Sequence, residues 1–209
     1  MALIRFHYFD GFWNGEVSRM ILKHLGLPFE DIRHSHESWG KLKSSGVPEF
    51  GQLPMLEIDS HTLVQSRAIE KYLLRRAGLL TNDLYKAYQS ESIVGFIDDL
   101  KSELAKVVFD ENKEKVVRWN NEKLPGKIQK LERRLNQNNS HIVGDEISHA
   151  DFVVFQWTYD YFLRKNKVAT MRPVLEGSSP RLLRYCESFK RSSPNLSAYL
   201  DSRVDDKPF

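Results

Sequence analysis

The hydrophobic pattern of this chain changes character once, near residue 83. Residues 3–9 are β-prone, and Ile4, Phe6 and Tyr8 fall on one face by the two-residue period of a strand. Asp10 and Gly11 break that run. Beyond Glu16 the apolar residues Val17, Met20, Ile21 and Leu25 follow at helical spacing, and Gly26 stops the helix. Residues 28–32 predict a second, weaker strand, whereas residues 34–51 show no period and predict a loop with one short helical turn. Residues 55–58 and 62–64 predict a hairpin turned by Asp59, Ser60 and His61, with Pro54 at its entrance where the ladder needs no N–H. Ser66 stands where an N-cap belongs, ahead of a helix with Ile69, Tyr72 and Leu73 on one face.

A strand–helix–strand unit favours a parallel pair, and a hairpin adds antiparallel strands, so these elements predict a mixed four-stranded sheet with helices. That layout is compatible with a thioredoxin-like domain. Residues 78–83 read as a linker, and residues 83–109 and 113–135 follow as long helices, the second interrupted at Pro125 and Gly126. Ser148 with Asp151 predicts a capping box, with Ile147 and Phe152 at the positions of a hydrophobic staple. The helix behind it carries Phe152, Phe155, Tyr159 and Phe162 as a core stripe. Residues 180–190 and 195–200 predict closing helices, and residues 204–209 a tail. The fold class is therefore α/β followed by all-α, with domains at residues 1–79 and 80–209.

Composition narrows the partners. With 41% hydrophobic and 28% charged residues the chain is ordinary for a globular protein, and a net charge of +3 is too weak to imply nucleic acid. No signal segment and no long apolar run is seen, so neither secretion nor a membrane span is expected. Cys186, the single cysteine, excludes an internal disulfide, fits a reducing cytoplasm, and reads as a small buried hydrophobe. His34 and His36 lack a third ligand at workable spacing and predict a surface pair rather than a metal site.

Gln-Leu-Pro-Met-Leu at residues 52–56 and Gln-Ser-Arg-Ala-Ile at 65–69 resemble the glutathione-binding half of cytosolic glutathione transferases. The Gly144-x-x-x-Ser148-x-Ala150-Asp151 pattern resembles the start of a helix in that family's C-terminal domain. Tyr8-Phe9 before the first helix matches the tyrosine-type classes, and the sigma class is the nearest likeness. The resemblance implies Tyr8 as the catalytic hydroxyl and a cis Leu53–Pro54 bond. It implies glutathione contacts at Tyr8, Asn14, Trp39, Lys43, Gln52, Leu53, Pro54, Gln65 and Ser66. Asp99, beside Asp98, would reach across a homodimer to the γ-glutamyl amine. Glutathione is then a co-substrate, with no further cofactor.

Asn14 is a departure, since sigma-class relatives typically carry arginine six residues after the tyrosine; the loop before Gln52 is also about two residues longer. Those differences bear on thiol activation and class, not on fold. The implied activity is conjugation of glutathione to a small hydrophobic electrophile in detoxification. Phe12, Trp13, Val107 and Val108 are candidates to line the electrophile's pocket. The alternatives are a glutathione-dependent isomerase of the prostaglandin D synthase type and a non-catalytic binding protein on the same fold.

Overall fold

In a computed structural model, residues 3–112, 114–135 and 140–204 are described. Their contacts divide the chain into two compact units, one formed by residues up to Leu80 together with those from Ser193 onward, the other by Thr81–Ser192.

The first unit holds the sheet. Strand β1 (Arg5–Phe9) is followed by α1 (Trp13–His24), β2 (Glu30–His34), α2 (His36–Ser44), β3 (Met55–Ile58), β4 (His61–Val64) and α3 (Ser66–Arg76). The strand order is β2-β1-β3-β4, with β1 parallel to β2 and antiparallel to β3, and β3 antiparallel to β4. This is the expected mixed sheet. Ile4, Phe6 and Tyr8 are buried, as are Val17, Met20 and Ile21 of α1, so the two periods read from the sequence meet in one core. Asp59 and Ser60 turn the hairpin with φ of +48° and +68°, the backbone that a two-residue loop between twisted strands requires.

Three local expectations change. The segment after β2 is a nine-residue helix rather than a single turn, started by Ser35, whose hydroxyl accepts from the Ser38 N–H at 3.1 Å. Strand β2 lies two residues later than its apolar residues suggest, because its register is set by pairing Arg5 with Glu30 through Phe9 with His34. Ser66 is the first residue of α3 rather than its cap; Gln65 takes the cap position with φ +72° and no side-chain capping bond.

The chain returns to this unit at its far end. Helix α10 (Pro194–Ser202) packs on α1, and His24 Nδ1 lies 2.8 Å from Ser193 Oγ. A boundary after Leu79 has no place for that return, because the contacts involved are separated by more than 160 residues.

In the second unit, every regular element among the described residues is a helix. It contains α4 (Leu84–Val108), α5 (Glu114–Arg118), α6 (Leu124–Arg134), α7 (His149–Thr158), α8 (Val168–Ser178) and α9 (Pro180–Ser192). Asp83 caps α4, accepting from the N–H groups of Tyr85 at 2.8 Å and Lys86 at 2.9 Å. The expected break at Pro125 appears as a wider π-type turn at Trp119–Lys123, after which the proline opens α6 without forfeiting a hydrogen bond. The capping box of α7 is present: the Asp151 carboxylate accepts from the Ser148 N–H at 2.8 Å and its hydroxyl at 2.6 Å. Phe152, Phe155, Tyr159 and Phe162 are buried, as the stripe predicts, and burial pushes the Cys186 thiol well up, making it a poor nucleophile. Val204 is exposed, and the rest of the expected tail lies outside the described residues.

Candidate active site

Tyr8 sits one residue before the end of β1, and the turn that follows folds back over it. The Gly11 N–H returns to the Phe9 carbonyl at 2.8 Å, and α1 begins at Trp13 with φ +25°, a backbone that side-chain-bearing residues seldom adopt. This places the Asn14 N–H 3.3 Å from the Tyr8 hydroxyl oxygen, which accepts it. A Cβ at Gly15 would stand 2.5 Å from Tyr8 Cγ and Cδ1, so only glycine lets the helix lie against the ring. The opposite support is Arg19, whose guanidinium is 5.6 Å from the ring centroid. Burial pushes the phenol above its ordinary value, while the Asn14 N–H and the Arg19 charge pull the other way. Tyr8 is thus protonated at neutral pH.

Beside it is a cavity of about 330 Å³. It is lined by Asn14, Trp39, Gln52, Leu53, Pro54, Gln65 and Ser66, all named by the resemblance, and also by Phe9 and Gly51. The Leu53–Pro54 peptide is cis. Gln65 Nε2 donates to Gln52 Oε1 at 3.1 Å across the cavity. Ser66 opens an eleven-residue helix, so its end offers backbone N–H groups and the positive end of the dipole to an anion. Gln52 and Leu53 precede the β3–β4 hairpin and line the same cavity. Amides, backbone donors and a helix N-terminus around an elongated cleft suit a short peptide bearing carboxylates.

Three candidates are not on this wall. Tyr8 itself connects to it through Asn14. Lys43 is exposed, and its Cε lies 3.3 Å from where a Cβ of Gly51 would stand, so the side chain passes over a lining residue. Asp99 is exposed on α4 in the second unit, and Asp98 half-buried beside it.

Phe9 and Gly51 were not among the candidates. Phe9 meets Tyr8 and Trp39 edge-on, at 5.7 and 5.9 Å between centroids, and so joins the strand to the cavity wall. Its position at the strand end, out of phase with Phe6 and Tyr8, was the available signal. Gly51 has φ +59°, and glycine there leaves room for Lys43.

Two expectations are corrected. His34 is not half of a surface pair: it is buried and stacked on His7, with His7 Nδ1 and His34 Nε2 3.1 Å apart, while His36 alone is exposed. His34 pairs with Phe9 in the parallel ladder and reaches His7 diagonally, with Nδ1 3.2 Å from Ser38 Oγ of α2 on its other side. Phe12 is buried beneath the Arg203 guanidinium, 4.0 Å from its ring centroid, and is unavailable to line a pocket. Among the described residues no group of three His, Cys, Asp or Glu is placed to hold a metal, and no helix is long and apolar enough to cross a membrane.

Comparison with known proteins identifies the family. Residues 4–75 match the family model described as glutathione S-transferase, N-terminal domain, and residues 98–203 the model described as glutathione S-transferase, C-terminal domain. Glutathione S-transferase 2 of Manduca sexta is 34% identical over 206 residues, covering 97% of each chain. Among solved structures, the Onchocerca volvulus Pi-class glutathione S-transferase superposes with a TM-score of 0.83 at 24% identity, covering 96% of this chain and 93% of that one, and shows the fold. A glutathione S-transferase of the hookworm Necator americanus, described as monomeric Na-GST-3, gives 0.82 at 25% identity over all of both chains. The first unit's sheet is thus the thioredoxin-like one of these enzymes, and the chain belongs to the glutathione S-transferase family and is a glutathione transferase.

Proposed function

We propose that this transferase joins the glutathione sulfur to small hydrophobic electrophiles, with Tyr8 as the hydroxyl that stabilises the thiolate. What carries the reading is the Asn14 N–H on the Tyr8 oxygen beside a cavity bounded by Trp39, Gln52, Leu53, Pro54, Gln65 and Ser66. In this pose the γ-glutamyl end lies at Gln65 and Ser66, the cysteinyl peptide pairs with the backbone of Leu53 next to Pro54, and the glycine end runs toward Trp39 and Lys43. The sulfur then faces Tyr8. A free thiol titrates near 8.5, so lowering it by about two units needs roughly 2.7 kcal/mol. A hydrogen bond to a charged group supplies about 1.5–3 kcal/mol. Since the phenol stays protonated, it can donate to the thiolate throughout the neutral range.

Asn14 offers the site its backbone N–H but no side-chain charge. The bound thiol should therefore titrate higher than in arginine-bearing relatives of the sigma class, which this chain resembles. Asn14→Arg is expected to move the rate–pH profile toward lower pH.

The remaining parts of the reading are a homodimer, with Asp99 reaching the neighbouring subunit's glutathione, a cytoplasmic setting and a role in detoxification. A relative of the same fold is described as monomeric, so sedimentation at micromolar concentration is the direct check on the dimer. The test of the chemistry is Tyr8→Phe assayed with glutathione and a chloronitrobenzene. The rate should fall about ten- to a hundredfold while glutathione affinity changes little. Unchanged turnover would make Tyr8 structural and end this reading.

A further inference from the structure

The densest buried charge in the first unit lies behind Tyr8, outside the cavity. Glu16 of α1 has no exposed surface and accepts from three groups: Arg19 Nη1 at 3.1 Å, Tyr199 Oη at 2.8 Å and Arg203 Nη1 at 2.8 Å. Two of these belong to the chain's far end, 183 and 187 residues away. Arg203 also lies flat over Phe12 at 4.0 Å. Arg19 passes the linkage on. Its Nη1 donates to the Gly11 carbonyl at 2.9 Å, its Nε to Asp31 at 2.9 Å, and its guanidinium lies against the rings of Phe6 and Tyr8.

A cluster that only stabilised the fold would have no reason to converge on residues 11–16. Here each of its outer arms holds one residue of the turn that carries Asn14. Arg19 and Arg33 both take the Gly11 carbonyl, and Arg203 clamps Phe12. Next comes Trp13 at φ +25°, a conformation that persists only where its surroundings impose it. The Asn14 N–H that bonds to Tyr8 is one residue further on.

We infer that Tyr199 and Arg203 are positioning residues for Tyr8: by holding Glu16 and Phe12 they fix the turn that brings the Asn14 N–H to the Tyr8 hydroxyl. The inference rests on the reading of Tyr8 as the thiolate's donor. Other charges face the cluster. Asp10 and Asp31 pair with Arg33, and the Lys23 ammonium lies 5.7 Å from the Tyr199 ring. Removing the Arg203 charge therefore leaves Glu16 opposed by Arg19 alone, and makes the surroundings of Tyr8 more negative.

The test compares Arg203→Gln, Arg203→Lys and Tyr199→Phe with wild type in full-length protein. Two readouts are taken: kcat and glutathione KM with a chloronitrobenzene, and the ultraviolet titration of Tyr8 without ligand, isolated by subtracting the Tyr8→Phe spectrum. Arg203→Gln should lower kcat about tenfold or more, leave glutathione KM nearly unchanged, and move the Tyr8 titration to higher pH. Arg203→Lys, which keeps the charge without the flat stack, should recover part of both, and Tyr199→Phe should show the same pattern more weakly. If Arg203→Gln does not fold, Tyr199→Phe decides alone, since it removes one hydroxyl.

A Tyr8-dependent rate with kcat and titration untouched in the folded variants overturns the inference alone. So does a loss that only tracks the folded fraction. A Tyr8→Phe protein as active as wild type overturns the underlying reading as well.

Discussion

Glu16 and Asp151 are the two carboxylates that open helices α1 and α7, both without exposed surface, and they are neutralised by opposite means. Glu16 is met by formal charge. Burial would raise its carboxyl, but Arg203 and Arg19, helped by the Tyr199 hydroxyl, outweigh that and hold it below its ordinary value. Asp151 is met mainly by dipoles. It accepts from the N–H groups of Ile142 at 2.9 Å and Ser148 at 2.8 Å, and from the hydroxyls of Ser148 and Tyr185 at 2.6 Å each. His141, at 3.3 Å, can add a charge. Dipoles bend a chain locally and secure it. Fixed charges must be fetched from elsewhere, and in doing so they tie distant segments together.

The comparison can be broken most directly at Glu16. Glu16→Gln leaves two buried guanidiniums sharing a neutral amide, and should cost about 3–5 kcal/mol of stability, read as a fall in the denaturant midpoint. A cost under about 1 kcal/mol, the range of an exposed pair, would mean that the cluster is hydrated in solution. Asp151→Asn keeps one acceptor oxygen but turns an NH2 group toward donors, and about 2–3 kcal/mol is expected. Should it exceed the Glu16→Gln cost, dipoles would be the stronger support and the contrast would be reversed.

Gly15→Ala separates shape from charge. Its Cβ would meet the Tyr8 ring at 2.5 Å. Overpacking of this kind costs about 1–3 kcal/mol, and turnover should fall further than stability accounts for, because the displaced group is Tyr8. An alanine variant with full kcat would show that the ring has room to move.

The smallest effects are those of pH, and they run in opposite directions. Burial lowers His7 and then His34, whose ring is also faced by His7, so both are neutral when folded. The stability they carry is complete above the ordinary histidine value of about 6.5 and is lost as pH falls through their depressed values. His141 is raised by its bond to Asp151. Its contribution is complete below about 6.5 and is lost as pH rises through the raised value. Unfolding midpoints between about pH 5.5 and 8 should therefore show a shallower acid-side fall in His34→Asn, which keeps His7, and lose their alkaline-side fall in His141→Asn. The same profile in all three proteins would remove these histidines from the account.

The contrast also explains what could be read in advance. The capping box was legible because Ser148 and Asp151 are three residues apart and one motif contains the physics. The hairpin, α4 and the aromatic stripe of α7 were legible for the same reason: their period or turn chemistry is local. Helix α2 was not, because an apolar face is missing and the cap at Ser35 does the work. Helix α8 carries Pro173 within it and announces no start. The cavity residues were named through family likeness, since nothing in Trp39 or Gln65 alone marks a peptide cleft. Phe9 and Gly51 went unnamed because their roles are to hold Trp39 and to leave space for Lys43. Least legible of all was Glu16, two of whose partners, Tyr199 and Arg203, no local window contains.

That separation between Glu16 and Arg203 sets a clock. A ribosome adding about 5–20 residues per second makes Glu16 some 10–40 s before Arg203, which lies 187 residues later. Through that interval the sheet and its tyrosine can collapse, but Glu16 has only Arg19 with which to share its charge. The turn that opens α1 is then completed last, by residues that follow the whole helical unit in order of synthesis. A chain interrupted before residue 203 would leave the ribosome with a recognisable sheet and an unfinished enzyme.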